Sequence, residues 1–293
     1  MAIATEQIVP LPAVRLRPHR RKGRRFALPG IVAVLLLAAL FLAALLGPLL
    51  WAFDPVGQNM ETRLQTPSLA HPLGTDRYGR DILARLLTGA RWSLTGAAIV
   101  CLGTSAVGFL IGALAALSSR LVDIILCRLI ESLMALPSIV MALALSTVLN
   151  ASFSTLLFAL VVTSWPRYAR IYRTLLLQER SAGYVEAARS AGAGPGRILV
   201  RHLLPNVAGP ALVLATGNFG GVILSLASLS FLGFGIQPPL PEWGMMINES
   251  RAYFQTQPWQ MVAPGLCIAL TVLGVNLLGD ALRDLLDPRM RGR

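Results

Sequence analysis

Side chains that could carry chemistry are few in this sequence, and they are scattered. The three histidines lie in three separate polar segments: His19, His71 and His202. A zinc protease would need an HExxH pair on one helix and a serine hydrolase a GxSxG turn, and neither pattern occurs. We therefore expect no catalytic residues, and a hydrolase is the weaker interpretation.

The cysteines also lack the spacing of a metal or disulfide site. Three occur, all in or beside apolar stretches: Cys101, Cys127 and Cys267. Their number is odd, and no CxxC pair is present. Because buried cysteine behaves as a small apolar residue, we predict that these three pack among apolar side chains and bind no metal.

Phosphate-binding chemistry is absent as well. A P-loop uses Gly-Lys-Ser/Thr, in which backbone amides and the lysine surround the phosphates. The chain has a single lysine, Lys22, in the sequence Arg-Lys-Gly ahead of the first apolar stretch. The sequence therefore predicts that this chain does not hydrolyse ATP and holds no cofactor of its own.

One polar segment, 178–206, has the pattern of two short helices. Ser181 is a candidate N-cap, and Glu186 in the first turns suits the positive end of a helix dipole. Gly192 supplies a left-handed stop after a run of helix formers, and Pro195 opens the second helix. A short helix with an alanine face suits insertion into a groove on another protein better than binding to a bare lipid surface.

The elements that must position this segment are apolar. Hydrophobic residues make up 55% of the 293 residues and charged residues 14%, with a mean hydropathy of +0.63. A soluble domain carries about 25% charged residues, so lipid is the expected solvent. Six windows are long and apolar enough to cross a membrane: 28–51, 93–117, 128–149, 154–172, 207–231 and 260–280. We therefore predict an all-α, multi-pass membrane protein.

Basic residues orient these spans. With the N-terminus inside, the inner segments hold 20 of the 26 lysines and arginines, and cytoplasmic loops collect such residues. Both termini are therefore predicted in the cytoplasm. The same bias accounts for the net charge of +12 without a nucleic-acid partner. The first span is too long for a cleaved signal peptide, and we interpret it as an uncleaved anchor.

Small and ionisable residues inside the spans each allow two interpretations. Gly108 and Gly112 form a GxxxG pair that either packs two helices closely or gives flexibility around a pathway, and ordinary packing is the simpler interpretation. Glu131 either marks a proton-coupled carrier or forms an interfacial pair with Arg128, and we favour the pair. Arg167 and Arg170 are expected to snorkel to water at the end of the fourth span.

Charged and aromatic residues also mark the outer segments. The charges of 76–91 are nearly balanced and are expected to lie along the outer membrane surface. Trp243, Tyr253 and Trp259 either contact an external protein or anchor the chain at the membrane interface, and we favour anchors.

The segment 178–206 resembles the EAA motif of ATP-binding-cassette importer permeases. Glu-Ala-Ala, a following glycine and a closing Leu-Pro occur in the family's order and spacing. His202 stands where the general pattern has an aliphatic residue, although the family's peptide branch commonly has Arg-His before its Leu-Pro-Asn. In that family the motif forms the coupling helix that docks on the ATPase subunit. The resemblance therefore implies these ATPase-coupling residues: Tyr184, Glu186, Ala187, Ala188, Gly192, Leu204 and Pro205.

Four further stretches resemble the same branch: 71–81, 230–235, 241–244 and 279–288. Together they are typical of the C-type permease of dipeptide, oligopeptide and nickel importers, and the likeness covers about residues 28–290. The implied fold is the importer-permease (MetI-like) bundle, with six transmembrane helices and both termini cytoplasmic. The implied location is the cell (inner or plasma) membrane.

The resemblance also implies partners. These are a second, B-type permease in a heterodimer, two ATPase subunits that bind ATP and Mg, and an extracytoplasmic substrate-binding protein. Di- or oligopeptides are the expected substrate, because no histidine or cysteine cluster in the spans offers a nickel ligand set. Nickel, a metallophore or glutathione are alternatives on the same architecture, and a secondary carrier is a distant one. The sequence does not identify the substrate-binding residues.

We divide the chain accordingly. The predicted parts are a basic cytoplasmic tail at 1–27, a first transmembrane helix at 28–51, an external segment at 52–91, a permease core at 92–282 with its cytoplasmic coupling loop at 173–206, and a C-terminal cytoplasmic tail at 283–293.

Overall fold

The computed structural model describes residues 27–286, and this part of the chain is built from helices without β-strands. The helices are α1 (Ala27–Leu50), α2 (Ile82–Leu117), α3 (Arg120–Met134), α4 (Ser138–Val148), α5 (Phe153–Arg180), α6 (Gly183–Ser190), α7 (Pro195–Ile198), α8 (Leu204–Phe231), α9 (Trp243–Ser250) and α10 (Trp259–Leu286). A π-helical turn, Leu199–Leu203, joins α7 to α8. The predicted all-α class is confirmed, while most of both predicted tails lies outside the described residues.

Four long helices are apolar enough to cross a membrane by length and composition: α1, α2, the continuous run Pro195–Phe231, and α10. The pair α3–α4 makes a fifth if it counts as one span. Helix α5 has 28 residues but is less apolar, because arginines interrupt its second half. The count of six spans therefore stays a prediction.

The third predicted span, 128–149, is wrong as a single helix. Helices α3 and α4 meet at an angle of 84°. Pro137 lies at the break and serves as the N-cap of α4. Proline has no N–H to donate and disfavours a helical conformation in the residue before it, so the helix cannot continue through 135–137.

Helix α2 starts earlier than its predicted span. Asp81 caps it by accepting a hydrogen bond from the Ala84 amide at 2.7 Å, so residues 82–91 of the predicted external segment are helical. Helix α5 likewise continues beyond residue 172 to Arg180.

A row of glycines lets α2 lie directly against α5. These are Gly96, Gly103, Gly108 and Gly112. A Cβ added at Gly108 would lie 2.5 Å from the Cβ of Tyr168, and one at Gly112 would lie 2.6 Å from the Ala169 carbonyl oxygen. Because even alanine would not fit, the two backbones approach as closely as a GxxxG pair permits. The packing interpretation of Gly108 and Gly112 is confirmed.

Helix α1 is joined to α2 through a free carbonyl. Pro48 lies inside α1 and has no N–H, so the carbonyl of Ala44 lacks its helical donor. The Arg91 guanidinium replaces that donor, with Nε 2.7 Å from the Ala44 oxygen and a terminal nitrogen 2.6 Å from the Leu45 oxygen. The arginine therefore satisfies the helix backbone and fixes the contact between the two helices.

The segment between α8 and α10 folds back onto α2. Trp243 is 1% exposed and donates from its indole nitrogen to the Leu86 oxygen at 3.1 Å. Both interpretations of this residue, anchor and external contact, are therefore wrong, since it is a core residue. Beside it, Glu242 is fully buried and accepts a hydrogen bond from Ser93 Oγ at 2.9 Å. Burial raises the pKa of the Glu242 carboxyl above its ordinary value.

Four charged side chains form a buried ion cluster, which we define as Asp76, Arg80, Arg85 and Glu249. Arg80 lies 2.6 Å from Asp76 and 3.1 Å from Glu249, and Arg85 lies 2.5 Å from Glu249. The two arginines are each 2% exposed. The prediction that charges of 76–91 lie along the membrane surface is therefore wrong for these residues, which join the segment before α2 to α9.

Removal of one charge from this cluster should destabilise the fold. Glu249→Gln leaves two buried arginines facing one carboxylate, and breaking a buried pair costs about 3–5 kcal/mol. We expect a clear drop in the midpoint of thermal unfolding of the detergent-purified protein. The matched control is Glu131→Gln, since Glu131 pairs with Arg128 at 3.5 Å while both side chains are largely exposed. An equal drop in both variants would contradict the role given to the buried cluster.

Candidate functional site

The segment between α5 and α8 contains one separate short helix, α6, whereas the second predicted helix runs on without a break into α8. Gly192 ends α6 with a φ of +83°, a left-handed conformation that glycine adopts without strain. The Ala193 amide donates to the Ala188 oxygen at 3.0 Å and closes the end of the helix. Pro195 begins α7. The prediction of a left-handed stop at Gly192 and a second helix from Pro195 is confirmed.

Ser181 is not the N-cap of α6. Ala182 occupies that position, and the Ser181 hydroxyl donates to the Gln178 oxygen at 2.8 Å. Ser181 therefore satisfies a carbonyl in the last turn of α5, and no side chain caps the start of α6.

A single buried side chain attaches α6 to the bundle. Val185 is fully buried in a cluster formed by the inner parts of the long helices and the loop. Its other buried members are Ala113, Ala116, Tyr168, Tyr172, Leu176, Ile198, Leu203 and Val207. These residues belong to α2, α5, α7, the π-helical turn and α8, so a displacement of α6 would act on several elements of the bundle at once.

Polar contacts close the two ends of the loop on each other. The Tyr184 hydroxyl donates to the Glu179 carboxylate and accepts from the Asn206 amide nitrogen at 3.2 Å. Partial burial and the Glu179 carboxylate together raise the pKa of Tyr184 to about 12, so this hydroxyl stays protonated as a donor. His202 is partly exposed, and its ring lies 6.3 Å from that of Tyr184.

The remaining sequence-predicted coupling residues face outward. Glu186, Ala187, Gly192, Leu204 and Pro205 are exposed, and Ala188 is partly exposed. The structure therefore brings the predicted residues together in one loop, with their side chains accessible and Val185 beneath them. We call this surface, residues 183–205, the docking loop.

Glycines leave the docking loop bare. A Cβ added at any of four positions would meet nothing within 4 Å: Gly183, Gly192, Gly194 and Gly196. Only Gly192 among them has a positive φ. At the other three positions the loop's own packing does not require glycine. Because these positions carry no side chain, a second protein surface has space to approach the backbone closely.

A cavity of about 390 Å³ lies between the α3–α4 break, α5, α8 and part of α2. Its polar lining comes chiefly from Ser138, Thr163, Ser164, Arg167, Asn218 and Ser225. The sequence analysis identified none of these as a site. Two features of the sequence could have pointed to the cavity: the helix break at Pro137 and an arginine inside a predicted span. Neither feature indicates which helices pack against each other, so the cavity could not be located from sequence.

Metal ligation has no support in the described part of the chain. Residues 27–286 contain no group of three His, Cys, Asp or Glu side chains placed to hold a metal ion. Cys101 is buried, Cys127 and Cys267 are partly buried, and all three are free thiols.

The helical bundle, its apolar spans and its exposed loop define an integral membrane transport component. Residues 108–292 match the family described as binding-protein-dependent transport system inner membrane component, and the chain belongs to that family. This confirms the resemblance to importer permeases, whose members are the membrane component of a larger transport system and are not themselves catalytic.

Curated relatives cover almost the whole chain. A dipeptide transport system permease protein of Alkalihalophilus pseudofirmus is 39% identical over 89% of this chain and 86% of its own length. A putative peptide transport system permease protein of Brucella abortus is 41% identical over 97% and 93%. The nickel transport system permease protein of Escherichia coli is 38% identical over 88% and 94%.

Loss of the buried attachment of α6 should loosen the docking loop without unfolding the bundle. Val185→Ala removes buried methyl groups at a cost of roughly 1–3 kcal/mol. We expect faster trypsin cleavage at Arg189 and Arg197, with cleavage elsewhere unchanged. Val200→Ala is the matched control, because Val200 is 64% exposed. Equal cleavage rates in the two variants would show that Val185 does not hold the loop.

Proposed function

We propose that this chain is one permease subunit of an ATP-driven importer of di- and oligopeptides in the cell membrane. The observation that carries the proposal is the docking loop, an exposed, glycine-lined surface attached through Val185 to several helices of the bundle. Family membership and the peptide permeases among the relatives support the same function.

In this proposal the chain works with three kinds of protein partner. A second, B-type permease completes the pathway, two ATPase subunits bind ATP and Mg beneath the docking loop, and an extracytoplasmic binding protein delivers the substrate. Support for separate ATPases comes from the absence of a P-loop in the sequence, whose single lysine is Lys22. The lipid bilayer surrounds the bundle, and no nucleic acid takes part.

The attachment of the docking loop to the bundle would couple the ATPases to the transmembrane helices. Glu186, Ala187 and Ala188 project from α6 toward the ATPase, and Gly192, Leu204 and Pro205 complete the contact surface. Closure of the ATPases would displace α6, and the buried Val185 would pass that displacement to α2, α5 and α8. Two packed arrangements of these helices, open to one side or the other, would then alternate.

The cavity between α3–α4, α5 and α8 is proposed as this chain's half of the pathway. Its volume lies in the range of small-molecule sites, and its largely apolar lining carries several polar side chains and one arginine, as such sites usually do. Polar groups inside a transmembrane bundle mark a substrate route more often than a structural core.

Peptides are favoured over nickel as the substrate. A bare nickel ion needs imidazole, thiolate or carboxylate ligands, and the described part of the chain offers no group of three. A nickel chelate is the second candidate, because a nickel permease is among the relatives. Uptake of a radiolabelled tripeptide and of labelled nickel, in cells lacking the gene and with the chain restored, distinguishes the two. Recovery of nickel uptake alone would contradict the peptide assignment.

A change of charge on the docking loop should disconnect the ATPases. We expect Glu186→Arg and Gly192→Asp to insert normally beside the partner permease, to lose co-purifying ATPase subunits and to lower tripeptide uptake by roughly tenfold or more, since misplaced charges cost several kcal/mol at an interface. Normal uptake by both variants would contradict the coupling assignment.

Two further variants separate surface effects from backbone effects. Gly192→Asp also strains a left-handed residue, whereas Gly196→Asp has open space and no positive φ. Gly196→Asp should therefore reproduce the loss of ATPase binding without loss of thermal stability. Glu61→Arg is the charge control, because Glu61 is exposed in the Met60–Thr62 turn at the opposite end of α1 from the docking loop. It should retain its ATPases.

A plug in the cavity should block transport without disturbing the fold. Gly221 lines the cavity, and a Cβ there meets nothing within 4 Å. Leucine is also a better helix former than glycine, by about 1 kcal/mol. We expect Gly221→Leu to keep assembly and stability but to abolish tripeptide uptake. Gly265→Leu in α10, another open helical glycine outside the cavity, should transport normally. Normal uptake by Gly221→Leu would remove the cavity from the pathway.

A further inference from the structure

Arg167 occupies an unexpected position in α5. The sequence analysis placed it near the inner end of a span that stops at residue 172, where it would snorkel to water. The helix instead runs from Phe153 to Arg180. At a rise of about 1.5 Å per residue, Arg167 lies roughly 20 Å from either end of the helix. It therefore sits near mid-helix, and the snorkelling of Arg167 to water stays a prediction.

Arg167 faces the cavity and has no carboxylate partner within the described chain. It is exposed, and it is the only side chain with a formal charge among the residues that line the cavity. No acidic side chain of residues 27–286 lies within 4 Å of its guanidinium. An arginine among the helices of a transmembrane bundle is costly and as a rule faces a partner or an aqueous path.

Three of the neutral polar groups in the cavity lining can act as hydrogen-bond acceptors. Thr163, Asn218 and Ser225 donate to carbonyl oxygens of their own helices, at 2.8, 2.8 and 2.9 Å. Both hydroxyl donors and one of the two amide hydrogens of Asn218 are thus occupied, while the side-chain oxygens keep free lone pairs. The cavity therefore presents one fixed cation and several acceptors, which is complementary to a carboxylate followed by N–H groups.

We propose that Arg167 binds the C-terminal carboxylate of the peptide while the peptide occupies this cavity. A guanidinium matches a carboxylate with two parallel hydrogen bonds, and the C-terminal carboxylate is the one anion that every unmodified peptide carries. Such a contact holds peptides of any sequence. This inference rests on the proposed peptide function and names the ligand group within it.

The test uses the complete complex of both permeases and both ATPases in lipid nanodiscs, without nucleotide or binding protein. A photoreactive tripeptide with a free carboxylate is crosslinked to the complex, and crosslinks to α5 and α8 are competed with trialanine or with trialanine amide. Trialanine has no side-chain carboxylate, so the comparison isolates the C-terminal group. Because hydrogen bonds to charged groups contribute about 1.5–3 kcal/mol, trialanine should compete roughly ten- to hundredfold better than its amide in the wild type.

Variants assign that preference to Arg167. Arg167→Gln should remove the difference between trialanine and its amide, and Arg167→Lys, which keeps the charge but loses the paired geometry, should reduce it. Arg170→Gln is the matched control, since Arg170 is exposed on the same helix but does not line the cavity, and it should keep the full preference. If Arg167→Gln fails to assemble, Arg167→Lys carries the test.

Two results would overturn the inference. One is a wild-type complex that does not distinguish trialanine from its amide, and the other is an Arg167 variant that keeps the preference, as expected if Arg167 pairs with a carboxylate of the partner permease. Tripeptide uptake in cells is measured separately. If uptake depends on the chain and either result occurs, the proposed function stands and only the role of Arg167 fails.

Discussion

The close approach of α2 and α5 fixes both the docking loop and the cavity. Gly108 and Gly112 allow the two backbones to approach closely, and Tyr168 of α5 lies at this contact. Tyr168 lines the cavity and also belongs to the buried cluster that holds Val185. A larger residue on the α2 face would separate the helices, widen the cavity and weaken the support of α6. In lipid, where no hydrophobic force drives helices together, such small-residue contacts carry much of the association.

Helix α5 is therefore the physical connection between the two sites. Its middle turns carry Thr163 and Arg167 at the cavity. About one and a half and two and a half turns beyond Arg167, Tyr172 and Leu176 pack around the docking loop. The Tyr172 hydroxyl is also 2.5 Å from Ser105 Oγ on α2, which ties this part of α5 to its neighbour. A displacement of α6 could therefore reach the cavity through a single element, because the continuous helix α5 contacts both the docking loop and the cavity.

Sequence reasoning reached the features that depend on local chemistry. Apolar windows located α1, α2, α8 and α10, and the order of glycine and proline located the end of α6 and the start of α7. The residues of the docking loop were identified by their resemblance to a known motif, and the structure places them together. These successes share a cause, since hydropathy, a left-handed glycine and an N-terminal proline act within a few residues.

The features that sequence reasoning missed depend on distant parts of the chain. Arg80 and Glu249 are 169 residues apart, and neither residue's neighbours indicate that the other will be its partner. Trp243 looked like an interfacial aromatic because its burial depends on how the segment before α9 folds against α2. The full length of α5 was missed because a helix that continues through polar residues beyond residue 172 has no local signal of its length.

The distribution of charged contacts divides the bundle into a fixed end and a movable middle. At the end that carries α9, the ion cluster is nearly buried, and separating its members would expose several charges to a poor solvent at a cost of several kcal/mol each. Around the cavity, the α3–α4 break at Pro137 leaves the helices without a buried ion pair, and α3 is joined to α5 by the partly exposed pair of Asp123 and Arg173 at 2.6 Å. Alternating access requires motion somewhere in the bundle, and motion costs least where no buried ion pair has to break. The helices around the cavity are therefore the part of the chain best able to rearrange, while the segment before α2 and α9 move as one body.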